Sequence, residues 1–166
     1  YPWNGDIQLT IDNEQLTNSD FALMLRLPGW AKNEPVPSDL YTYVADASTD
    51  IIVSVNGTPV TYTMQDGYMT IERTWAEGDV VSFSLPMPVQ HVLANDAVAA
   101  DKGLVAIERG PILYCMEGVD NTSFSALIAN DEATATVTDA DIEGYQFLAI
   151  DLAGQQKKGN TTTDAT

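Results

Sequence analysis

Residues 51–85 read IIVSVNGTPVTYTMQDGYMTIERTWAEGDVVSFSL. Three turn signals punctuate the run: Asn56-Gly57, Asp66-Gly67 and Glu77-Gly78-Asp79. Asn-Gly and Asp-Gly readily take the left-handed conformations of a tight hairpin turn. Between them lie short runs rich in β-branched and aromatic residues: Ile51–Val55, Val60–Met64, Tyr68–Arg73 and Val80–Leu85. In the last run Val81, Phe83 and Leu85 alternate with serines, the period of two that covers one face of a strand. Turns recurring every ~8–12 residues between such strands mark an antiparallel β-sandwich or barrel. The fold class is all-β.

The same grammar extends outward. Upstream, Ile7, Leu9 and Ile11 form one face of a strand, and Asn13–Ser19 reads as a polar turn. Phe21, Leu23, Leu25 and Leu27 form the next inward face; the opposite side (Ala22, Met24, Arg26) is weakly polar, which predicts a strand covered on both faces. Residues 31–50, AKNEPVPSDLYTYVADASTD, break the pattern with two prolines and scattered acids. They read as a loop or insertion, with Leu40–Val44 as a short edge strand or flap. Pro86-Met87-Pro88 closes the first unit, placing a boundary between 1–88 and 89–166.

Downstream, Val89–Leu93 is a strand. Then comes GLVAIERGPILYCMEGVDN, residues 103–121. Leu104–Ile107 and Ile112–Met116 read as mostly buried strands, and Arg109-Gly110-Pro111 as a sharp bend or a change of sheet. On this reading Leu113, like Phe83, belongs to the core. Val119–Ala140 is polar, Tyr145–Leu152 is a strand after Gly144, and 154–166 reads as a mobile tail.

Composition narrows the partners. The chain has 166 residues, 24 acidic and 7 basic, a net charge of −17. That field repels phosphate backbones and anionic lipid, so neither nucleic acid nor a membrane surface is an expected partner, while neutral glycans remain open. No apolar run approaches the ~20 residues of a membrane span. No basic-then-apolar leader opens the chain, which reads as a mature or internal segment or as a parent without a signal. A single cysteine, Cys115, rules out an internal disulfide and a thiolate zinc site made by this chain alone. Placed in an apolar strand, it reads as a small hydrophobe.

Chemistry-bearing patterns are sparse. His91, the one histidine, sits in a strand, and no G-x-S-x-G, G-x-G-x-x-G or phosphate loop occurs. Glu108 and Arg109 read as an ion pair at the bend. Asp139–Gly144 resembles the opening of a calcium loop, but its twelfth position is Ile150 rather than an acid, so a polar turn is the reading. No catalytic or metal-binding residue is assigned. For a sugar platform the candidates are aromatic: Trp3, Trp30 and Trp75 beside turns, Tyr41 and Tyr43 in the insertion, with Trp30 and Tyr41 chosen as substrate-binding residues.

Several long blocks carry a resemblance: YPWNGDIQLTI at 1–11, LRLPGWAKN at 25–33, VNGTPV at 55–60, GYMTIERTWAEGDVVSFSLPMPV at 67–89 and ANDAVAADKGLVAIERGPILYCMEGVDN at 94–121. They resemble the β-rich region after the catalytic domain of bacterial β-L-arabinofuranosidases, glycoside hydrolase families 127 and 146, and NEPVPSDLY at 33–41 looks more like the family 146 form. The resemblance covers about residues 1–121. It implies two consecutive β-sandwich units, the second incomplete, because the family pattern continues past the tail with a Pro-Tyr-Tyr-Ala-Trp-like strand and leaves a sheet edge without it. It also implies a separate (α/α)6 barrel in the same polypeptide, whose glutamate and zinc-bound cysteines do the catalysis. Cys115 matches the Tyr-Cys of the sandwich region and not those cysteines, so no cofactor is expected in this chain and zinc only in the barrel.

The expectation is thus a non-catalytic β-sandwich portion of a glycoside hydrolase acting on plant polysaccharide, its parent periplasmic or secreted in a bacterium. The alternatives are an autonomous carbohydrate-binding module and a structural element that forms a homodimer through its sheet edges.

Overall fold

The computed structural model describes residues 1–12, 19–118, 127–129, 135–158 and 161–165, with 127–129, 154–158 and 161–165 described in backbone only. The strands are β1 (Asp6–Thr10), β2 (Asp20–Arg26), β3 (Tyr41–Tyr43), β4 (Val53–Val55), β5 (Thr58–Val60), β6 (Thr63–Gln65), β7 (Tyr68–Thr74) and β8 (Val80–Ser84). They continue as β9 (Val89–Ala94), β10 (Val105–Arg109), β11 (Ile112–Tyr114), β12 (Leu127–Ala129), β13 (Thr136–Ile142), β14 (Tyr145–Asp151), β15 (Gly154–Lys158) and β16 (Thr161–Ala165). Among the described residues the only helical pieces are 3-10 turns at Gly29–Lys32 and Ala99–Asp101. Every ladder is antiparallel. The chain is all-β, as its alternation and turns predict.

The first half is a sandwich. A front sheet in the order β1-β8-β4-β5 meets a back sheet in the order β2-β7-β6. Inward residues of both, Val53, Val55, Val81 and Phe83 from the front and Leu25, Met69 and Ile71 from the back, join Ile11, Leu27, Ile51 and Trp75 in one core. Their apolar surface supplies the main folding free energy, at about 25 cal/mol per Å² removed from water. Register keeps the facing consistent: Leu9 pairs with Val81, Val55 with Val81, and Leu25 with Met69.

Two turns and one tryptophan close this sandwich. Asn56 and Gly57 both have positive φ, 52° and 76°, as a two-residue hairpin requires. The Asn56 amide then reaches the β7–β8 turn: its Nδ2 donates to Asp79 Oδ1 at 2.8 Å, and its Oδ1 accepts from the Val80 amide at 2.9 Å. The Ala76 amide donates to Asp79 Oδ2 at 2.9 Å. These donors, Ala76 first and Asn56 second, hold the Asp79 carboxyl below its ordinary range. Trp75 is 2% exposed, and its indole Nε1 donates to the Phe21 carbonyl at 3.0 Å. Burial of so large a side chain is consistent only because its polar atom is paired.

A third sheet, β11-β10-β9-β3, is a junction sheet: β3 comes from the first half and the other strands from the second. The backbone of β12-β15-β16 forms another sheet, and β13-β14 form a hairpin ribbon.

Several expectations are corrected. The run Val60–Met64 is not one strand: β5 ends at Val60 in the front sheet and β6 starts at Thr63 in the back sheet, so the chain changes sheets at Thr61-Tyr62. The bend at 109–111 is no sheet change: Arg109 pairs with Ile112 across a two-residue turn. Gly110 there has φ 57°, and an added Cβ would lie 3.0 Å from the Met87 sulfur, so glycine suits the turn on both counts. β2 is covered on one face only, since Met24 is 46% exposed. The 103–121 strands are less buried than their composition suggests: Leu113 is 68% exposed, and Cys115 is exposed just beyond β11 rather than packed within a strand. Alternation fixes which residues share a face but not which face is covered. Part of 119–140 and most of 154–166 pair as strands although they lack apolar alternation. The turn at 13–18 and residues 119–126 and 130–134 lie outside the described residues.

Two measurements check this packing. Phe83→Ala should lower the unfolding free energy by about 3–5 kcal/mol in urea titrations, while Leu113→Ala should change it by less than ~0.5 kcal/mol. Asp79→Asn removes a carboxylate favoured in the folded state, whose stabilisation is present above the ordinary carboxyl value and lost as pH falls through its lowered value. The variant should therefore melt below the wild type at neutral pH, the gap closing on acidification.

Candidate functional site

The insertion is a closed loop. Asn33 has a left-handed backbone (φ 62°), which points its side chain across the loop base. Its Nδ2 donates to the Ala47 carbonyl at 3.1 Å and its Oδ1 accepts the Ala47 amide at 2.9 Å. Between these anchors β3 runs along β9, pairing Tyr41 with Ala94, Thr42 with Leu93 and Tyr43 with Val92. The Asn95 amide donates to the Leu40 carbonyl, and the Val44 amide to the His91 carbonyl, at the two ends of the seam.

Alternation puts Tyr41 and Tyr43 on one face. Each phenol donates to a carboxylate of the second half: Tyr41 to Asp101 Oδ2 at 2.7 Å and Tyr43 to Glu108 Oε1 at 2.8 Å. Both phenols have raised pKa values, Tyr41 through its bond to Asp101 first and Tyr43 through burial first. Burial raises the Glu108 carboxyl, and the Tyr43 bond only partly offsets it.

Around Glu108 lies a half-enclosed pocket lined by Trp30, Tyr43, Ala47, Pro86, Pro88 and Gln90 with the Gly110 turn. Gln90 is the register partner of Glu108, and its Nε2 is buried without a hydrogen-bond partner. The pocket has about 10 Å³ of room, roughly one water molecule and far too little for a sugar ring. Glu108 is the one carboxyl that lines this pocket, and its bond to Tyr43 suits holding the loop in place.

The sequence-chosen residues fall in different places. Trp30, half-buried on the first 3-10 turn, lines the pocket; Tyr41 does not, and its phenol is committed to Asp101. Trp75 is in the core, so the three tryptophans form no common row. Glu108 and Arg109 are not an ion pair: they occupy opposite faces of β10, and Arg109 Nη1 donates to the Trp3 carbonyl at 2.9 Å. The Tyr43–Glu108 bond escaped sequence reading because 65 positions separate its partners; the alternation in Tyr41-Thr42-Tyr43 was its one local sign.

Elsewhere the chemistry is thin. His91 Nε2 is buried without a hydrogen-bond partner. At the β13–β14 turn, Asp141 accepts from the Gly144 amide and the Gln146 side chain, which is the polar-turn arrangement. Among the described residues no three His, Cys, Asp or Glu side chains gather to hold a metal. On the outer face of the front sheet, Asp6, Gln8, Ile52, Ser54, Ser82 and Ser84 border a shallow open trough of about 410 Å³.

Comparison with known proteins matches both halves. Residues 1–87 match the family described as beta-L-arabinofuranosidase, GH127 middle domain, and residues 89–158 match the glycoside hydrolase family 127 C-terminal domain. A curated relative, the non-reducing end beta-L-arabinofuranosidase of Bifidobacterium longum subsp. longum, is 32% identical over 122 residues, 73% of this chain and 16% of its own length. A solved GH127 beta-arabinofuranosidase superposes with a TM-score of 0.86 at 39% identity, covering 99% of this chain and 26% of that one. A GH127 beta-L-arabinofuranosidase from Geobacillus stearothermophilus superposes at 0.80 with 27% identity, covering 99% of this chain and 25% of that one. The chain thus spans a small share of each relative's length. It belongs to glycoside hydrolase family 127, of which it carries the middle domain and the C-terminal domain.

Proposed function

We propose that this chain is the non-catalytic β portion of a β-L-arabinofuranosidase-type glycoside hydrolase acting on arabinose-bearing plant polysaccharide. Its work is mechanical: two sandwich units, 1–88 and 89–166, that pack on an (α/α)6 catalytic barrel of the same polypeptide and support the rim of its active site. The observation that carries this is the match itself, to the middle and C-terminal domains and to 16% of the curated relative's length. On this reading zinc chemistry belongs to the barrel, and the parent works in the periplasm or outside a bacterial cell. The Asn-Glu-Pro-Val-Pro-Ser-Asp-Leu-Tyr run at 33–41 supports a place near the family 146 branch.

A second reading, a glycan-binding module using Trp30 and Tyr41, draws on the partial exposure of both rings and on an acidic surface that leaves neutral ligands unopposed. A homodimer through sheet edges is the third reading.

This chain incubated with p-nitrophenyl β-L-arabinofuranoside should release no nitrophenol above a buffer control; release would overturn the supporting role. In arabinan affinity gels the chain should migrate as in plain gels. Retardation that Trp30→Ala or Tyr41→Ala abolishes would favour the second reading instead.

A further inference from the structure

Glu108 is an unusual group to place at the seam between the insertion and the junction sheet. It sits on β10 in the half-enclosed pocket, and the Tyr43 phenol reaches it diagonally across β9. The groups that face it can be taken element by element. From β3 comes the Tyr43 phenol; from β9 the uncharged Gln90 amide; from β11 its register partner Leu113. From the first 3-10 turn comes Trp30, and from 86–88 two prolines. Lys32, on that same turn, is paired with Glu34. His91 and Arg109 lie on the opposite face by alternation, Arg109 tied to the Trp3 carbonyl. Among the described residues no lysine, arginine or histidine lines the pocket. At the other end of β3, Asp101 is engaged with Tyr41.

We propose that the 33–47 loop is a proton-tightened strap, in which Glu108 grips β3 more firmly when protonated and loosens it when ionised. An ionised carboxylate in this place is partly taken from water, and among the described residues no cation lines the pocket to compensate it. The hydrogen bond from Tyr43 is stronger toward the charged carboxylate but only partly offsets that loss of water, and it survives protonation because a carboxylic acid still offers an acceptor oxygen. Protonation removes the buried charge while keeping the bond. Burial shifts the carboxyl upward from its ordinary value of 4.5. A raised folded-state value means the seam is most stable below the ordinary value and weakens as pH rises through the raised one.

Hydrogen exchange of the whole chain tests it. The Val44 and Asn95 amides cross the seam, donating to the His91 and Leu40 carbonyls, and the Leu85 amide, donating to the Gly5 carbonyl, reports on the sandwich as a reference. Protection is measured at about pH 5 and about pH 8, corrected for intrinsic exchange; both conditions stay above the isoelectric point near 4.1. In the wild type, seam protection relative to the reference should fall as pH rises. Glu108→Gln should hold the higher protection at both values, and Tyr43→Phe should lower it at both. Equal seam protection at the two pH values in the wild type, or an unchanged pH response in Glu108→Gln, overturns the proposal. The wild-type series decides the question even if a variant does not fold.

Discussion

Three residues of backbone pairing, β3 on β9, knit the first half of this molecule into the sheet of the second. β3 is too short to hold itself, yet it is the strand through which the first half enters the sheet of the second. Its ladder with β9 fixes position along the strand, and the two phenols fix it sideways by reaching carboxylates on neighbouring elements. Without those bonds, two buried or half-buried acceptors would lose their partners, a larger loss than the net gain of forming each bond. The junction therefore depends on both contributions together, backbone ladder and phenol clasp.

Beneath it, the first sandwich is tied so that its sheets cannot slide independently. One continuous stretch leaves the front sheet at Val60 and enters the back sheet at Thr63, with Tyr62 packed on the core between. The Tyr62 hydroxyl donates to the Ile51 carbonyl at 3.0 Å, which pins the crossing. At the far end, Asn56 and Asp79 join two turns that are distant in sequence. These polar contacts add little net energy compared with the core, but they specify which register the core adopts.

How much of this was legible follows from the kind of signal each element carries. β1 and β8 declare themselves by alternation, β2 and β7 by runs of β-prone residues between turns, and Asn56-Gly57 and Asp66-Gly67 by turn chemistry. The front-to-back crossing was hidden because Thr61-Tyr62 is as β-prone as its neighbours, so nothing local announces a break. Leu113 reads as core from its side chain alone; its exposure depends on what lies above β11, which no local pattern encodes. β15 and β16, built of glutamine, lysine and threonine, lack the apolar rhythm that makes a strand visible. For the candidate site, Trp30 and the two tyrosines were visible as residues, whereas their carboxylate partners came from 60 and 65 positions away. Family likeness reached further than periodicity because whole blocks preserve such distant pairings without displaying them.

The Asn33–Ala47 clasp has a consequence for how such proteins diverge. By fixing both ends of the insertion with a side chain that mimics a backbone bridge, it uncouples the loop's length from the sandwich beneath. Each doubling of a flexible loop costs only about 0.6 kcal/mol in closure entropy. Descendants are therefore free to lengthen, shorten or rewrite the residues between Asn33 and β3, and an engineer is free to graft a foreign segment there, so long as the asparagine gate and β3 with its two phenols survive.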